Sequence, residues 1–138
     1  MKSAFSTLSR IQKFNIDEKR KVLAEFLRTE EEIENRLKKL NQDFEREKKY
    51  SQENENQDFG KYLRRYLETR EAVEMELLQI REKIEKIKDE IADLFKEQKT
   101  FDIVDDNRKK AKQKENDDKE QKSIDEIGTN KYIKDNKK

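Results

Sequence analysis

The chain has no cysteine, no histidine, no proline and no tryptophan, and only two glycines in 138 residues. Without cysteine there is no disulfide framework. Without cysteine or histidine there is no zinc or copper site built on those ligands, and no nucleophile–histidine pair for catalysis. Without proline, and with glycine only at 60 and 128, almost nothing in the sequence breaks a helix. Long apolar runs are missing too. The longest is Val22–Ala24, far short of the roughly 20 residues of a membrane span. The N-terminus carries no apolar stretch of the kind a secretory signal needs. These absences predict a chain of the reducing cytoplasm, with no metal, no cofactor and no insertion into a membrane.

What the sequence does contain is charge. Charged residues make up 49% and hydrophobic residues 30%, yet the net charge is only +1. So polar a chain cannot fill a broad core, and folds only if its apolar residues gather into a narrow stripe. They do. Positions alternately three and four apart from Leu63 are Leu63, Tyr66, Arg70, Val73, Leu77, Ile80, Ile84, Ile87, Ile91, Leu94, Gln98 and Phe101, mostly apolar and separated by Glu, Lys, Arg and Asp. This is a heptad seam sustained over more than five heptads, the signature of a coiled coil. The first half repeats it with Leu23, Phe26, Glu30, Ile33, Leu37, Leu40 and Phe44. Upstream, Phe5, Leu8, Ile11, Phe14 and Ile16 fall out of strict phase, which predicts a register shift near Asn15–Lys21. Ser3 is placed to cap the first helix.

Between the two seams lies SQENENQDFG, Ser51 to Gly60, where the apolar period lapses. Asn54, Asn56 and Asp58 are each suited to cap the following helix. The stretch reads as the turn of a helical hairpin; one unbroken helix in a parallel dimer is the alternative. Charge favours the hairpin. Residues 1–50 hold 13 basic and 10 acidic residues, and residues 51–104 hold 10 and 14. Antiparallel pairing sets these opposite excesses against each other, although exposed ion pairs contribute only about 0–1 kcal/mol each. The fold expected is therefore all-α: two long helices in an antiparallel coiled-coil hairpin, the second overhanging. Helix 1 is expected over about 3–50, the turn over about 51–60 and helix 2 over about 60–127, all in one hairpin domain of residues 1–128.

A turn near residue 55 sets Phe44 near Tyr66, Leu37 near Val73, Leu23 near Ile87 and Leu8 near Phe101. The first helix then runs out opposite position 109 or so. Beyond it VDDNRKKAKQKENDDKEQKSIDEIG, Val104 to Gly128, has almost no apolar residue to bury. Asp105–Lys109, Asp106–Lys110, Glu115–Lys119 and Asp118–Lys122 each place an acid four residues before a base, an arrangement that favours a helix modestly. Such a helix is marginal when alone. Gly128 is expected to stop it, with residues 129–138 a flexible tail.

Two ends of the hairpin are candidate interaction sites. Phe44, Tyr50, Phe59, Tyr62 and Tyr66 cluster around the expected turn, and Leu67 adds a further apolar group, as a plug closing the hairpin or as a patch for a partner. At the other end the overhang offers Arg108, Lys109, Ile124, Asp125, Glu126 and Ile127. General acid–base chemistry needs a pocket that shifts a pKa, and a two-helix rod offers none, so no enzyme is expected. The run RKKAKQK, Arg108–Lys114, has the composition of a nucleic-acid patch, but ENDDKE comes directly after it. A solvated face or a docking surface for a protein of mixed charge fits better.

The residues also resemble a known family. The opening FSTLSRIQKFNIDEKRKVLAEF, the middle FGKYLRRYLETREAVEMELLQIREKIEKIKDEIADLFKEQKTFDIV and the closing SIDEIG are similar to the FliJ family of the bacterial flagellar type III export apparatus, in its alphaproteobacterial type. The similarity spans residues 3–128, and the tail departs from it in being rich in Lys, Asn and Asp. The resemblance implies a coiled-coil hairpin that works by binding. It implies a flagellar export ATPase, a membrane export gate protein and export chaperones as partners, with the hairpin acting as a stalk or chaperone between them. Its implied place is the cytoplasmic side of the inner membrane at the flagellar base. By the same resemblance the terminal end faces the ATPase and the turn end the gate. A generic coiled-coil scaffold is the alternative function.

Overall fold

A computed structural model describes residues 3–54 and 58–136, with side chains through Lys134. It contains two helices, α1 (Ala4–Asn54) and α2 (Phe59–Asn136), and no strand among the described residues. The helices lie against each other as an antiparallel hairpin, as the paired seams require: Lys19 meets Glu90, Arg36 meets Glu76 and Asn41 meets Tyr66. Continuous helix is favoured by the absence of proline and by acid–base pairs one turn apart, such as Lys21–Glu18 at 2.9 Å, Arg46–Asp43 at 3.0 Å and Lys119–Glu115 at 3.3 Å. Thr29 and Thr100 are accommodated because their hydroxyls donate to the carbonyls of Glu25 and Lys96 one turn back.

The residues pack as two compact units. One comprises Phe14–Leu94, the other Met1–Lys13 with Phe95–Lys138. The first holds the apolar core. Ile33, Val73, Leu77, Ile80 and Ile84 are buried together, and Leu23, Phe26 and Leu37 pack against them. Ile16 and Ile87 are buried in the same unit. Burying each such aliphatic side chain stabilises by about 1.5–3 kcal/mol. Every seam position from Leu63 to Phe101 is buried or half-buried, including Arg70, Ile91, Leu94 and Gln98, and so are all seven from Leu23 to Phe44, Leu40 among them.

The expected register shift in α1 does not occur. Ser6 and Asn15 are half-buried, and the other positions of α1 withdrawn from solvent as far as Leu23 are Phe5, Ser9 and Gln12, then Ile16, Lys19 and Leu23. They keep one unbroken alternation of three and four. Three of the five apolar residues that suggested a shift are instead turned outward: Leu8 is 39%, Ile11 51% and Phe14 63% exposed. Helix period decides which positions face the partner, and here it overrules residue type. Polar side chains at the seam are satisfied by partners on α2. Gln12 donates to Glu97, and Lys19 Nζ lies 2.9 Å from Glu90.

Both ends of the turn also differ from expectation. Ser51–Asn54 belong to α1, and Phe59 and Gly60 to α2. Asn54 Nδ2 donates to the Tyr50 carbonyl at 3.0 Å, occupying an acceptor the helix end leaves open. Asp58 stands at the N-cap of α2, its carbonyl accepting from Tyr62 N at 3.1 Å. Asn56, the other proposed cap, lies outside the described residues. Gly128 does not end α2, which continues to Asn136. The backbone at Gly128 is not left-handed and nothing crowds the place of a missing Cβ. A glycine with ordinary helical angles weakens a helix without stopping it.

Candidate partner-binding surfaces

In the unit Phe14–Leu94 the aromatic residues near the turn form one stack. Phe44 is its centre, with ring centroids 4.0 Å from Tyr66, 6.1 Å from Phe59 and 6.4 Å from Tyr62, all near-parallel. Tyr66 is buried, and its hydroxyl donates to Asn41 Oδ1 at 2.7 Å. The Arg70 guanidinium sits 5.7 Å above the Tyr66 ring. Phe59 and Tyr62 are half-buried. Burial, then the Glu47 and Asp43 carboxylates, push the Tyr62 phenol above its ordinary pKa. Tyr50 and Leu67, by contrast, are 55% and 45% exposed. The five residues grouped by sequence thus divide. Phe59, Tyr62 and Tyr66 close the hairpin around Phe44, whereas Tyr50 and Leu67 face outward.

The same unit carries a surface groove of about 750 Å³, floored by Leu37 and Leu77 and rimmed by charges including Glu34 and Arg81. Arg81 spans the helices, reaching Glu34 at 3.0 Å and Glu30 at 3.3 Å. Among the described residues no group of acidic side chains is arranged to hold a metal ion, and no helix is long and apolar enough to cross a membrane.

The other unit contains both termini. Ser3 caps α1: Ser6 N donates to its Oγ at 3.0 Å. The same hydroxyl donates to the carboxylate of Asp105 on α2. Asp105 is buried and also lies 3.1 Å from Lys109 Nζ. Those two hydrogen bonds, Ser3 first, hold the Asp105 carboxyl below the usual carboxylate range. One turn away the Phe5 and Phe101 rings meet at 6.3 Å, and the Arg108 guanidinium lies 4.6 Å from the Phe5 ring centroid. From Asp106 through Lys134 every side chain is exposed. The internal pairing therefore ends at Asp105 and Arg108, and the rest of α2 is an overhang. Ile124 and Ile127 are 61% and 67% exposed on it. Glu126 is exposed, and Asp125 accepts a hydrogen bond from Gln121 at 3.1 Å. Of the overhang residues singled out from sequence, Arg108 and Lys109 thus belong to the closure of the hairpin, and Ile124 to Ile127 to the open helix.

Ser9, Gln12, Lys19 and Asp105 are polar, so a search for apolar stripes passes over them. Extending the alternation of three and four backward from Leu23 and forward from Phe101 lands on all of them.

A two-helix hairpin is the architecture the resemblance implied. The family model described as "Flagellar FliJ protein" matches residues 1–137. The chain belongs to the FliJ family. Membership makes it a protein of flagellar export, in a family of structural and export proteins. No curated protein and no solved structure matches this FliJ-family chain.

Proposed function

We propose that this FliJ-family protein is a non-enzymatic stalk that couples the flagellar export ATPase to the membrane export gate. The observation that carries the reading is the exposed helix from Asp106 onward, which has no partner helix among the described residues. A chain that continues regular helix beyond its own pairing has built a surface for another protein. In this reading the overhang meets the ATPase through Ile124, Asp125, Glu126 and Ile127, with Arg108 and Lys109 at its root. The turn end meets the gate through Tyr50 and Leu67, held in place by the stack of Phe59, Tyr62 and Tyr66. Export chaperones are further partners, and the working position is peripheral, on the cytoplasmic side of the inner membrane.

The test uses the purified ATPase, the cytoplasmic part of the gate and two variants. Removing residues after Arg108 should weaken ATPase binding at least about tenfold, roughly 1.4 kcal/mol, with gate binding kept. Exchanging Tyr50 and Leu67 for alanine should do the reverse. Equal losses for both partners in both variants would sink the two-ended model. Absence of ATPase binding by the intact chain would leave a scaffold role instead.

A further inference from the structure

The overhang has a sided arrangement of its own. From Ile103, positions alternately three and four apart are Asp106, Lys110, Gln113, Asp117, Glu120, Ile124 and Ile127, and all are exposed. One helix face about 36 Å long, at 1.5 Å per residue, thus carries isoleucine at both ends and charge between. On this face Lys110 precedes Asp117 and Glu120, and the charge of the overhang as a whole is polarised in the same sense. Arg108–Lys114 holds five bases and no acid, and Glu115–Glu120 holds four acids and one base.

We infer that the overhang of α2 pairs antiparallel, through this face, with the overhang of a second copy of the chain. Antiparallel coiled-coil layers then match about a two-fold axis near the middle of the segment. Ile127 meets Ile103 of the second copy, closing each end with an apolar layer. Glu120 meets Lys110 of the second copy, and Asp117 meets Gln113 of the second copy. Each contact occurs twice by symmetry. Gln113 Nε2 already donates to Asp117 of its own helix at 2.9 Å. Its second N–H and the remaining carboxylate lone pairs leave room for the crossed pair. A parallel arrangement would set base on base and acid on acid, so charge complementarity selects both the second copy and its direction. Asp106 facing Ile124 of the second copy is a mismatched layer, which keeps the association weak and reversible. The association stands apart from the ATPase reading. Where both hold, the overhang is sheathed in the dimer and released to the ATPase.

Sedimentation of the full chain over a concentration series tests it, since every position involved is exposed and substitution leaves the hairpin intact. The wild type should shift from monomer toward dimer as concentration rises to about 500 µM, and less so in high salt. Lys110→Glu or Glu120→Lys alone should weaken the dimer about tenfold, and the two together should restore it, since they re-form the pair with reversed sign. Asp106→Leu should tighten it at least about tenfold by completing an apolar layer. A wild type and Asp106→Leu variant that both stay monomeric overturn the inference, and so does a double charge variant no better than the singles.

Discussion

The hydroxyl of Ser3, while capping α1, donates to the carboxylate of Asp105 on α2. Residues 102 positions apart are joined at the point where internal pairing ends. Asp105 lies at the positive end of the α1 dipole, and Lys109 one turn further on supplies a cation. This end is consequently pH-sensitive. The Asp105 carboxyl is held below its ordinary value, so its contribution is complete above the unfolded carboxylate pKa of about 4 and is lost as pH falls through the lower folded value. Amide exchange at Phe5 and Ser6, taken relative to the intrinsic rate at each pH, should therefore quicken below about pH 4. Asp105→Asn should quicken it at neutral pH and flatten the acid dependence. Unchanged exchange in that variant would show that the clasp contributes nothing.

In the unit Phe14–Leu94 stability rests on a thin apolar seam. Ile80→Ala, at the centre of the buried group with Ile33, Leu77 and Ile84, should cost about 2–5 kcal/mol. Denaturant melts followed by circular dichroism would measure it. Ile124→Ala, on the open helix, should change global stability by less than about 0.5 kcal/mol.

Tyr66 contributes both a ring and a hydrogen bond. Tyr66→Phe keeps the 4.0 Å stack on Phe44 and loses the bond to Asn41. The expected cost is about 0.5–1.5 kcal/mol, read in the same melts. A cost as large as that of Tyr66→Ala would assign the whole effect to the hydroxyl and none to the stack.

Gly128 reports on the open helix. With ordinary helical angles and no neighbour within 4 Å of its missing Cβ, Gly128→Ala should raise helix content, by up to about 1 kcal/mol in local propensity. Backbone chemical shifts at Thr129–Lys131 would show it. Reduced helicity would mean that the glycine adopts a left-handed stop in solution.

Much of the fold was legible in the sequence. Period alone located both seams, because apolar residues at alternating threes and fours can be buried only along one helical stripe. Opposite charge excesses indicated antiparallel pairing, and counting outward from the turn located the overhang. The N-terminal third of α1 misled, since Leu8, Ile11 and Phe14 suggested a stripe that the helix turns outward. Gly128 misled as well, because a glycine signals a helix end only when its backbone is left-handed.

The sequence by itself determined helicity, the seams and the level at which α1 ends, since these depend on spacing within each helix. Only the tertiary structure decided that Ser9, Gln12 and Lys19 rather than Leu8, Ile11 and Phe14 face inward, that Ser3 clasps Asp105, and that Tyr66 is core while Tyr50 and Leu67 are surface. Each of these depends on what stands opposite. A polar side chain can occupy a seam when the other helix supplies its hydrogen-bond partner, and spacing within one helix does not carry that information.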